Sequence, residues 1–266
     1  MRLGSTWLAL GLVALGSMAP TVGQAAGPVA GPVAGPVPLV ERSFVVALDP
    51  GHGGSNPGCT AFDGTAHEKD VTMVMAQELR AELERRLPHA RVVLTRSGDE
   101  TVTLAERVAR ANAAQADLFI SLHANASGTG PQTGFETCIL DAALVEREVA
   151  RTARQPDDGT DPARAQAQAM MRELALTAHR ARSAGLARRI QQQQAQRFPQ
   201  RLDRGVKQGS FDVLLGARMP AVLFEAGFLD HPHEGARLLD AGQRGLVVDG
   251  LATAILDYYR DHARER

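Results

Sequence analysis

The sequence predicts an α/β fold, a single twisted and mostly parallel sheet with helices on both faces. Short apolar runs alternate with longer segments whose apolar residues recur at helical spacing, and this alternation is typical of βαβ units. The apolar runs are continuous, as expected for strands that are buried on both faces. Because sheets of this class place their sites at the carboxyl ends of strands, the polar residues at those ends are the candidates for function.

The first half of the mature chain carries the clearest alternation. Phe44 to Leu48 is a continuous apolar run that ends at Asp49-Pro50-Gly51, as a buried strand ending in a loop would. Apolar residues then recur at helical spacing until Pro88 closes the segment. The predicted elements are the strand 44–48, the helix 68–87, the strand 91–95, the helix 104–115 and the strand 118–122.

The second half contains a long helical segment between further strands. Its Ala, Arg, Gln and Glu residues favour helix, with an interruption at Gln155 to Pro162. The predicted elements are strands at 135–140, 211–215 and 221–225 and a closing helix at 246–260.

The N-terminus has the features of a secretory signal peptide over residues 1–25. Arg2 precedes an apolar run from Trp7 to Ala19, and Gly23-Gln24-Ala25 fits a cleavage site of small residues. This run is shorter than the ~20 residues that a membrane span requires, so we expect no membrane span after cleavage. The predicted destination is the periplasm or the cell exterior.

The residues after the signal peptide divide into a linker and one domain. Residues 26–41 repeat Gly-Pro-Val-Ala, a composition that is typical of a tether. Residues 42–266 are predicted to form a single catalytic domain with a helical insertion at about 141–163. The formal net charge of −1 gives no reason to expect a nucleic-acid partner, and we interpret the abundance of arginine as a coding bias.

Cys59 and Cys138 are the two cysteines of the chain. In an oxidising compartment an even number of cysteines predicts a disulfide between them. The alternative is that both are small buried hydrophobic residues that do not meet.

Four residues able to bind a metal or transfer a proton lie at predicted strand ends or beside them. His52 follows the first strand among glycines, His123 follows the third, Glu225 ends the last strand, and Glu68 opens the first helix. Two imidazoles and one carboxylate would leave a fourth zinc position for water, which is the arrangement of a catalytic zinc site. A second carboxylate would then exchange protons with the substrate. We therefore predict a site for one Zn²⁺.

The spacing of these residues leaves alternatives open. Glu68 and Glu225 could exchange the roles of ligand and base, and His67 could replace Glu68 as a ligand. Successive residues of a helix point about 100° apart, so only one of His67 and Glu68 should face the site. Taken singly, His52 could cap a turn, and Glu68 could be a first-turn carboxylate favoured by the helix dipole.

At these positions the sequence resembles the zinc-dependent N-acetylmuramoyl-L-alanine amidases of bacterial cell walls. The resemblance is carried by Val45 to Cys59, Glu68-Lys69-Asp70, Val93 to Arg96, Glu106-Arg107-Val108, Leu118 to Ala126, Asp203 to Gln208 and Met219 to Asp230. It implies that His52, Glu68 and His123 bind zinc and that Glu225 is the catalytic glutamate. Cys59 and Cys138 depart from the family pattern, which often has Ala and an aromatic residue there.

The resemblance implies hydrolysis of the amide between N-acetylmuramic acid and L-alanine in peptidoglycan. Two alternatives from other classes remain. The first is a zinc peptidase that cuts peptidoglycan cross-links, which would need the same metal and base. The second is a catalytically silent wall-binding module. The mature chain has no tryptophan on which a sugar ring could stack, and its only tyrosines are the adjacent Tyr258 and Tyr259, so this alternative is disfavoured.

The segment from Asp141 to Arg154 is a candidate autoinhibitory helix. The resemblance implies that some relatives carry extra helical sequence here, which blocks the zinc cleft until an activator protein withdraws it. Glu146 and Glu148 are the carboxylates that could reach the open zinc position. The alternative is a helical hairpin that only braces the sheet.

Overall fold

The computed structural model describes residues 43–128, 132–153 and 162–263. The strands in these residues are β1 (Val45–Pro50), β2 (Arg91–Leu94), β3 (Leu118–Asn125), β4 (Phe135–Leu140), β5 (Asp203–Gly209) and β6 (Ala221–Phe228). The helices are α1 (Glu68–Arg86), α2 (Leu104–Ala113), α3 (Ala142–Ala153), α4 (Pro162–Arg197), α5 (Pro232–Leu239) and α6 (Ala241–Ala263), with a short 3₁₀ helix at Asp212–Leu214. The predicted signal peptide and linker lie outside the described residues.

The strands form one mostly parallel sheet in the order β2-β1-β3-β6-β4-β5. β2, β1, β3 and β6 run parallel to one another, whereas β4 is antiparallel to β6 and β5 is parallel to β4. The predicted fold class is therefore confirmed. In the described part of the chain, no helix is both long and apolar enough to cross a membrane.

Each face of the sheet carries its own hydrophobic cluster. Val46, Leu48 and Phe224 point to one face and pack with residues of α1, α4 and α6. Ala47 and Leu223, which alternate with them along the strands, point to the other face and pack with residues of α2 and the 3₁₀ helix. Burial on both faces explains why these strands appear in the sequence as continuous apolar runs.

Two predictions for the C-terminal half were wrong or incomplete. The predicted strand at Phe211 to Leu215 is the 3₁₀ helix, whose Val213 and Leu214 are buried against the sheet. The strand of this region is β5, which lies at the edge of the sheet and is mainly half-buried or exposed, so it lacks an apolar run. The short helix α5 was not predicted.

A buried network of polar side chains lies under the loop that follows β1. Asp49 is fully buried and accepts hydrogen bonds from Arg107 at 2.8 Å, from Ser121 at 2.6 Å and from Thr95. Arg107 also donates to the backbone carbonyl of Pro50 at 2.7 Å. Such a pair is sensitive to the loss of one partner, because the remaining charge is then buried without compensation.

We expect Arg107→Leu to destabilise the fold by about 3–5 kcal/mol, because it leaves the Asp49 carboxylate unpaired inside the protein. Arg80→Leu is the matched control, since Arg80 pairs with Glu84 on the exposed surface of α1 and such pairs contribute little. Urea unfolding followed by circular dichroism measures both free energies. Equal, small losses for the two variants would contradict the structural role of Arg107.

Candidate metal centre and active site

His52 lies in the loop after β1, and two buried arginines fix the backbone of that loop. Arg96 donates to the carbonyls of Pro50 and Gly51 at 2.9 and 3.0 Å, and Arg107 donates to the carbonyl of His52 at 2.5 Å. His52 has a positive φ of 60°, a conformation that non-glycine residues adopt rarely and mainly at constrained positions. The loop therefore presents the imidazole in one defined orientation.

Three of the predicted site residues meet at the carboxyl ends of the parallel strands. The Glu68 carboxylate lies 3.0 Å from His52 Nε2 through Oε2 and 3.0 Å from His123 Nδ1 through Oε1. The two imidazole rings are 4.9 Å apart and nearly perpendicular. One potential ligand atom from each residue lies within 4.8 Å of the other two. The structure thus brings together the three residues that the resemblance assigns to zinc.

Glu68 is oriented by backbone groups as well as by the histidines. Its Oε1 accepts a hydrogen bond from the Ala124 N–H at 3.0 Å, and its Oε2 accepts one from the Cys59 N–H at 3.1 Å. Burial opposes ionisation of Glu68, but hydrogen bonds from His123 and His52 outweigh it and lower the pKa of this carboxyl. The carboxylate is therefore held ionised, which is the form that binds a metal.

Two glycines allow the site to close tightly. A Cβ atom at Gly51 would lie 2.3 Å from the His123 ring, and one at Gly58 would lie 2.6 Å from Glu68 Oε2. Gly58 also has a positive φ of 69°. A side chain at either position would displace a candidate ligand.

The donor set fits a zinc ion. Histidine nitrogen and carboxylate oxygen are common zinc ligands, and three protein ligands with one open position are typical of a catalytic site. Ligands about 2 Å from a tetrahedral ion are themselves roughly 3.3 Å apart, which is close to the two 3.0 Å separations in this cluster. The Nδ1 of His52 lies 3.0 Å from Asn56 Oδ1, an interaction that would leave Nε2 free to bind.

Glu225 lies beside the cluster on the adjacent strand, at the position that pairs with His123. Its Oε2 is buried and has no hydrogen-bond partner among the described residues. Burial raises the pKa of Glu225 to about 7, with a smaller contribution from the nearby Glu68 and an opposing one from His123. A carboxyl group with a raised pKa is a stronger proton acceptor than an ordinary glutamate, and is therefore suited to accept a proton and return it.

His67 does not compete with Glu68 for the site. It precedes α1, is exposed, and its Nδ1 lies 3.3 Å from the hydroxyl of Thr60. The expectation that only one of the two adjacent residues faces the cluster is confirmed. A cavity of about 480 Å³, lined by Phe44, Arg218 and Tyr258 among others, lies at the opposite end of the sheet and is separate from these residues.

The predicted autoinhibitory contact is contradicted by the direction of β4. Glu136 pairs with Glu225 in the antiparallel β4–β6 ladder, so β4 runs away from the metal cluster before α3 begins. Val145, which precedes Glu146, lines a small cavity with Ala221, four residues or about 13 Å along β6 from Glu225. The exposed Glu146 is therefore at the wrong end of the sheet to cap the metal.

Glu148 belongs to the same helix, and its side chain lies outside the described residues. Because α3 does not cover the metal position, the structure does not support an activator that works by withdrawing α3 from it. The α3–α4 segment corresponds to the alternative expectation, a helical hairpin beside the sheet.

The predicted disulfide is also wrong, because the two cysteines lie on opposite faces of the sheet. Cys59 packs with the α1–α6 face near the metal cluster, and Cys138 is buried in the cluster on the other face. Both are free thiols. Burial raises the pKa of each to about 12, with the Glu68 charge adding to the shift at Cys59. Both thiols therefore remain protonated at neutral pH.

Sequence reasoning missed the polar residues that surround the predicted site. Arg96 and Arg107 were not predicted to be site residues, although Arg96 directly follows the predicted strand 91–95 and Arg107 lies beside Val108 in the predicted helix 104–115. Asn125, Glu136 and Arg204 form a hydrogen-bonded chain beside Glu225. Asn125 and Arg204 lie within the segments that carry the family resemblance, but their proximity to Glu136 depends on the register between strands, which a single sequence does not reveal.

Residues 46–257 match the family model described as N-acetylmuramoyl-L-alanine amidase. The amidase LytC of Bacillus subtilis is 31% identical over 81% of this chain, and the amidase AmiC of Escherichia coli is 28% identical over 84%. The chain spans 35% of the length of LytC and 54% of AmiC. A solved amidase from Clostridium difficile is 27% identical, with a TM-score of 0.62 over 82% of this chain and 97% of that one. The chain belongs to the N-acetylmuramoyl-L-alanine amidase family.

Proposed function

We propose that the protein hydrolyses the amide between N-acetylmuramic acid and L-alanine in peptidoglycan, using one Zn²⁺ held by His52, Glu68 and His123. The observation that carries the proposal is the position of Glu225. Its half-buried side chain lies beside three convergent metal ligands and has a buried oxygen without a hydrogen-bond partner in the described chain. A carboxyl group in this position is available to exchange a proton with water and with a leaving amine.

The chemistry divides between the metal and the protein. When bound, Zn²⁺ would lower the pKa of an attacking water to about 7 and polarise the amide carbonyl. Glu225 accepts the proton of that water as the nucleophile adds to the carbonyl carbon. The same carboxyl then donates the proton to the alanine nitrogen as the C–N bond breaks, so Glu225 returns to its initial state.

The relatives favour this amide over the bonds that a peptidase would cut. LytC and AmiC are both named N-acetylmuramoyl-L-alanine amidases. The ligand set and the adjacent glutamate would serve a peptidase equally well, so the choice of bond rests on these relatives. Membership of a family of hydrolases, together with the intact site, disfavours a silent wall-binding module.

We also propose that the chain is exported to the periplasm or the cell exterior, with residues 1–25 removed and residues 26–41 acting as a tether to the domain 42–266. The charged and apolar pattern of residues 1–25 supports this proposal. N-terminal sequencing of protein recovered from the periplasm should begin near Ala26. Recovery of an N-terminus at Met1 from that fraction would exclude the cleavage.

The two glutamates of the site should fail in different ways. Glu225→Gln should retain zinc and lose about 10²- to 10⁴-fold in activity, because a proton-transfer group is lost while the ligands remain. Glu68→Gln should lose zinc on dialysis, since a carboxylate ligand is replaced by a weaker one. Elemental analysis and turnover measure the two effects. Glu146→Gln is the control and should change neither quantity.

If the metal were lost from Glu225→Gln and retained in Glu68→Gln, Glu225 would be the metal ligand and Glu68 the proton-transfer group. Loss of activity in Glu146→Gln would restore a role for α3 at the site.

The products of sacculus digestion should identify the bond that is cut. Mass spectrometry should show free peptides that begin with L-alanine and glycan strands that lack peptide. A chelator should abolish both products, and added Zn²⁺ should restore them. Opened cross-links with peptide still attached to glycan would indicate a peptidase, and no zinc-dependent product at all would indicate a binding module.

A further inference from the structure

A row of polar side chains extends from the metal cluster across the sheet toward its edge. His123 of β3 pairs with Glu225 of β6, and Glu225 pairs with Glu136 of β4. Residues paired directly across strands project from the same face of a sheet. The row therefore continues the active-site surface past Glu225, away from the metal.

Arg204 of β5 is the next side chain beyond Glu136. Its Nε donates to Glu136 Oε2 at 2.8 Å, and Asn125 Nδ2 donates to the other oxygen of the same carboxylate at 3.0 Å. The guanidinium also lies 5.1 Å from the ring centroid of Phe228. These contacts fix the group while its side chain stays 25% exposed, so solvent and ligands can reach it.

The remaining donors of Arg204 are available for a ligand. Arg204 Nη1 makes no hydrogen bond to any residue in the described ranges, and Nη2 has only a 3.5 Å contact with Gln132. Glu136 occupies the Nε side of the guanidinium. A guanidinium has five donors in a planar fork that matches a carboxylate, so its free edge is suited to bind one.

The distance to the scissile bond sets which part of the substrate could reach Arg204. β5 and β6 are separated by β4, so their side chains lie two strand spacings, or about 10 Å, apart. An extended peptide advances about 3.3–3.6 Å per residue. A carboxylate would itself lie about 3 Å from the guanidinium, so the remaining ~7 Å corresponds to about two residues beyond the bond cut at Glu225.

We propose that Arg204 binds the carboxylate of the second residue of the substrate's peptide and so determines specificity for acidic over amidated peptides. This inference rests on the proposed function. His123 and His52 oppose the acidic Glu68 on one side of Glu225, whereas the neighbour on the other side is the acidic Glu136. A peptide carboxylate that approaches past Glu136 would be repelled unless a cation lay on that side. Arg204 supplies that cation at the edge strand.

Two soluble substrates test the proposal: a muramoyl-L-alanyl peptide whose second residue carries a free carboxylate, and the same peptide with that group as a carboxamide. The unaltered enzyme should prefer the carboxylate. Arg204→Gln should lower kcat/KM for the carboxylate substrate about tenfold, mainly through KM, because one charged hydrogen bond is lost. Its kcat/KM for the carboxamide should fall less, because loss of the Arg204–Glu136 ion pair acts on both substrates alike whereas the lost contact with the carboxylate acts on one.

Arg218→Gln is the matched control, because it removes the same charge from the opposite end of the sheet. It should leave the preference unchanged. If Arg204→Gln does not fold, the double variant Glu136→Gln/Arg204→Gln removes both charges of the pair and should show the same lost preference. Equal losses on the two substrates, or no preference in the unaltered enzyme, would overturn the proposal.

Binding separates this inference from the proposed function. Calorimetry with Glu225→Gln should show tighter binding of the carboxylate peptide, and the preference should disappear when Arg204→Gln is added. If the binding preference is found but the unaltered enzyme cleaves neither peptide, the proposed hydrolysis fails while the role of Arg204 stands. If both peptides are cleaved at equal rates and bind equally, the role of Arg204 fails while the hydrolysis stands.

Discussion

The site depends on how two buried arginines hold the backbone that follows the first strand. The backbone carbonyls of Pro50–His52 accept hydrogen bonds from the buried Arg96 and Arg107. These carbonyls therefore need no water as a hydrogen-bond donor. A buried carbonyl without such a partner would destabilise the loop by the cost of its lost hydration. The Asp49 carboxylate compensates part of the arginine charge. The positive φ of His52 persists because this network fixes the residues on both sides of it.

The direction of one strand determines which parts of the chain can take part in chemistry. β4 is antiparallel to β6, so its first residues lie beside Glu225 and its last residues lie at the far end of the sheet. Glu136 therefore lies in the row of polar side chains beside Glu225, whereas Asp141 to Ala153 lie away from it. Had β4 been parallel to β6, the insertion would begin beside the metal cluster.

The electrostatics of the site favour a cation at its centre. Glu68, Glu136 and Glu225 lie close together, and only Glu68 and Glu136 have hydrogen-bond partners for their carboxylates in the described chain. Like charges in a partly buried site repel, and the raised pKa of Glu225 reflects its burial together with that repulsion. A divalent ion between the histidines and Glu68 would relieve this repulsion and stabilise the ionised form of Glu225. The surplus of acidic groups is thus consistent with a metal centre.

The α/β class, most helices and strands, and the four residues of the predicted site could be predicted from the sequence, because burial on both faces and strand-end polar residues leave local patterns. His52, His123 and Glu225 could be placed at strand ends from those patterns. Features that depend on pairing between distant segments became visible only in the folded protein. Strand order placed Cys59 and Cys138 on opposite faces, the antiparallel β4 carried Glu146 away, and cross-strand register brought Glu136 and Arg204 beside the site. Strand order, strand direction and register cannot be predicted from sequence periodicity. Periodicity indicates which face of a strand a residue occupies, but it does not identify the neighbouring strand.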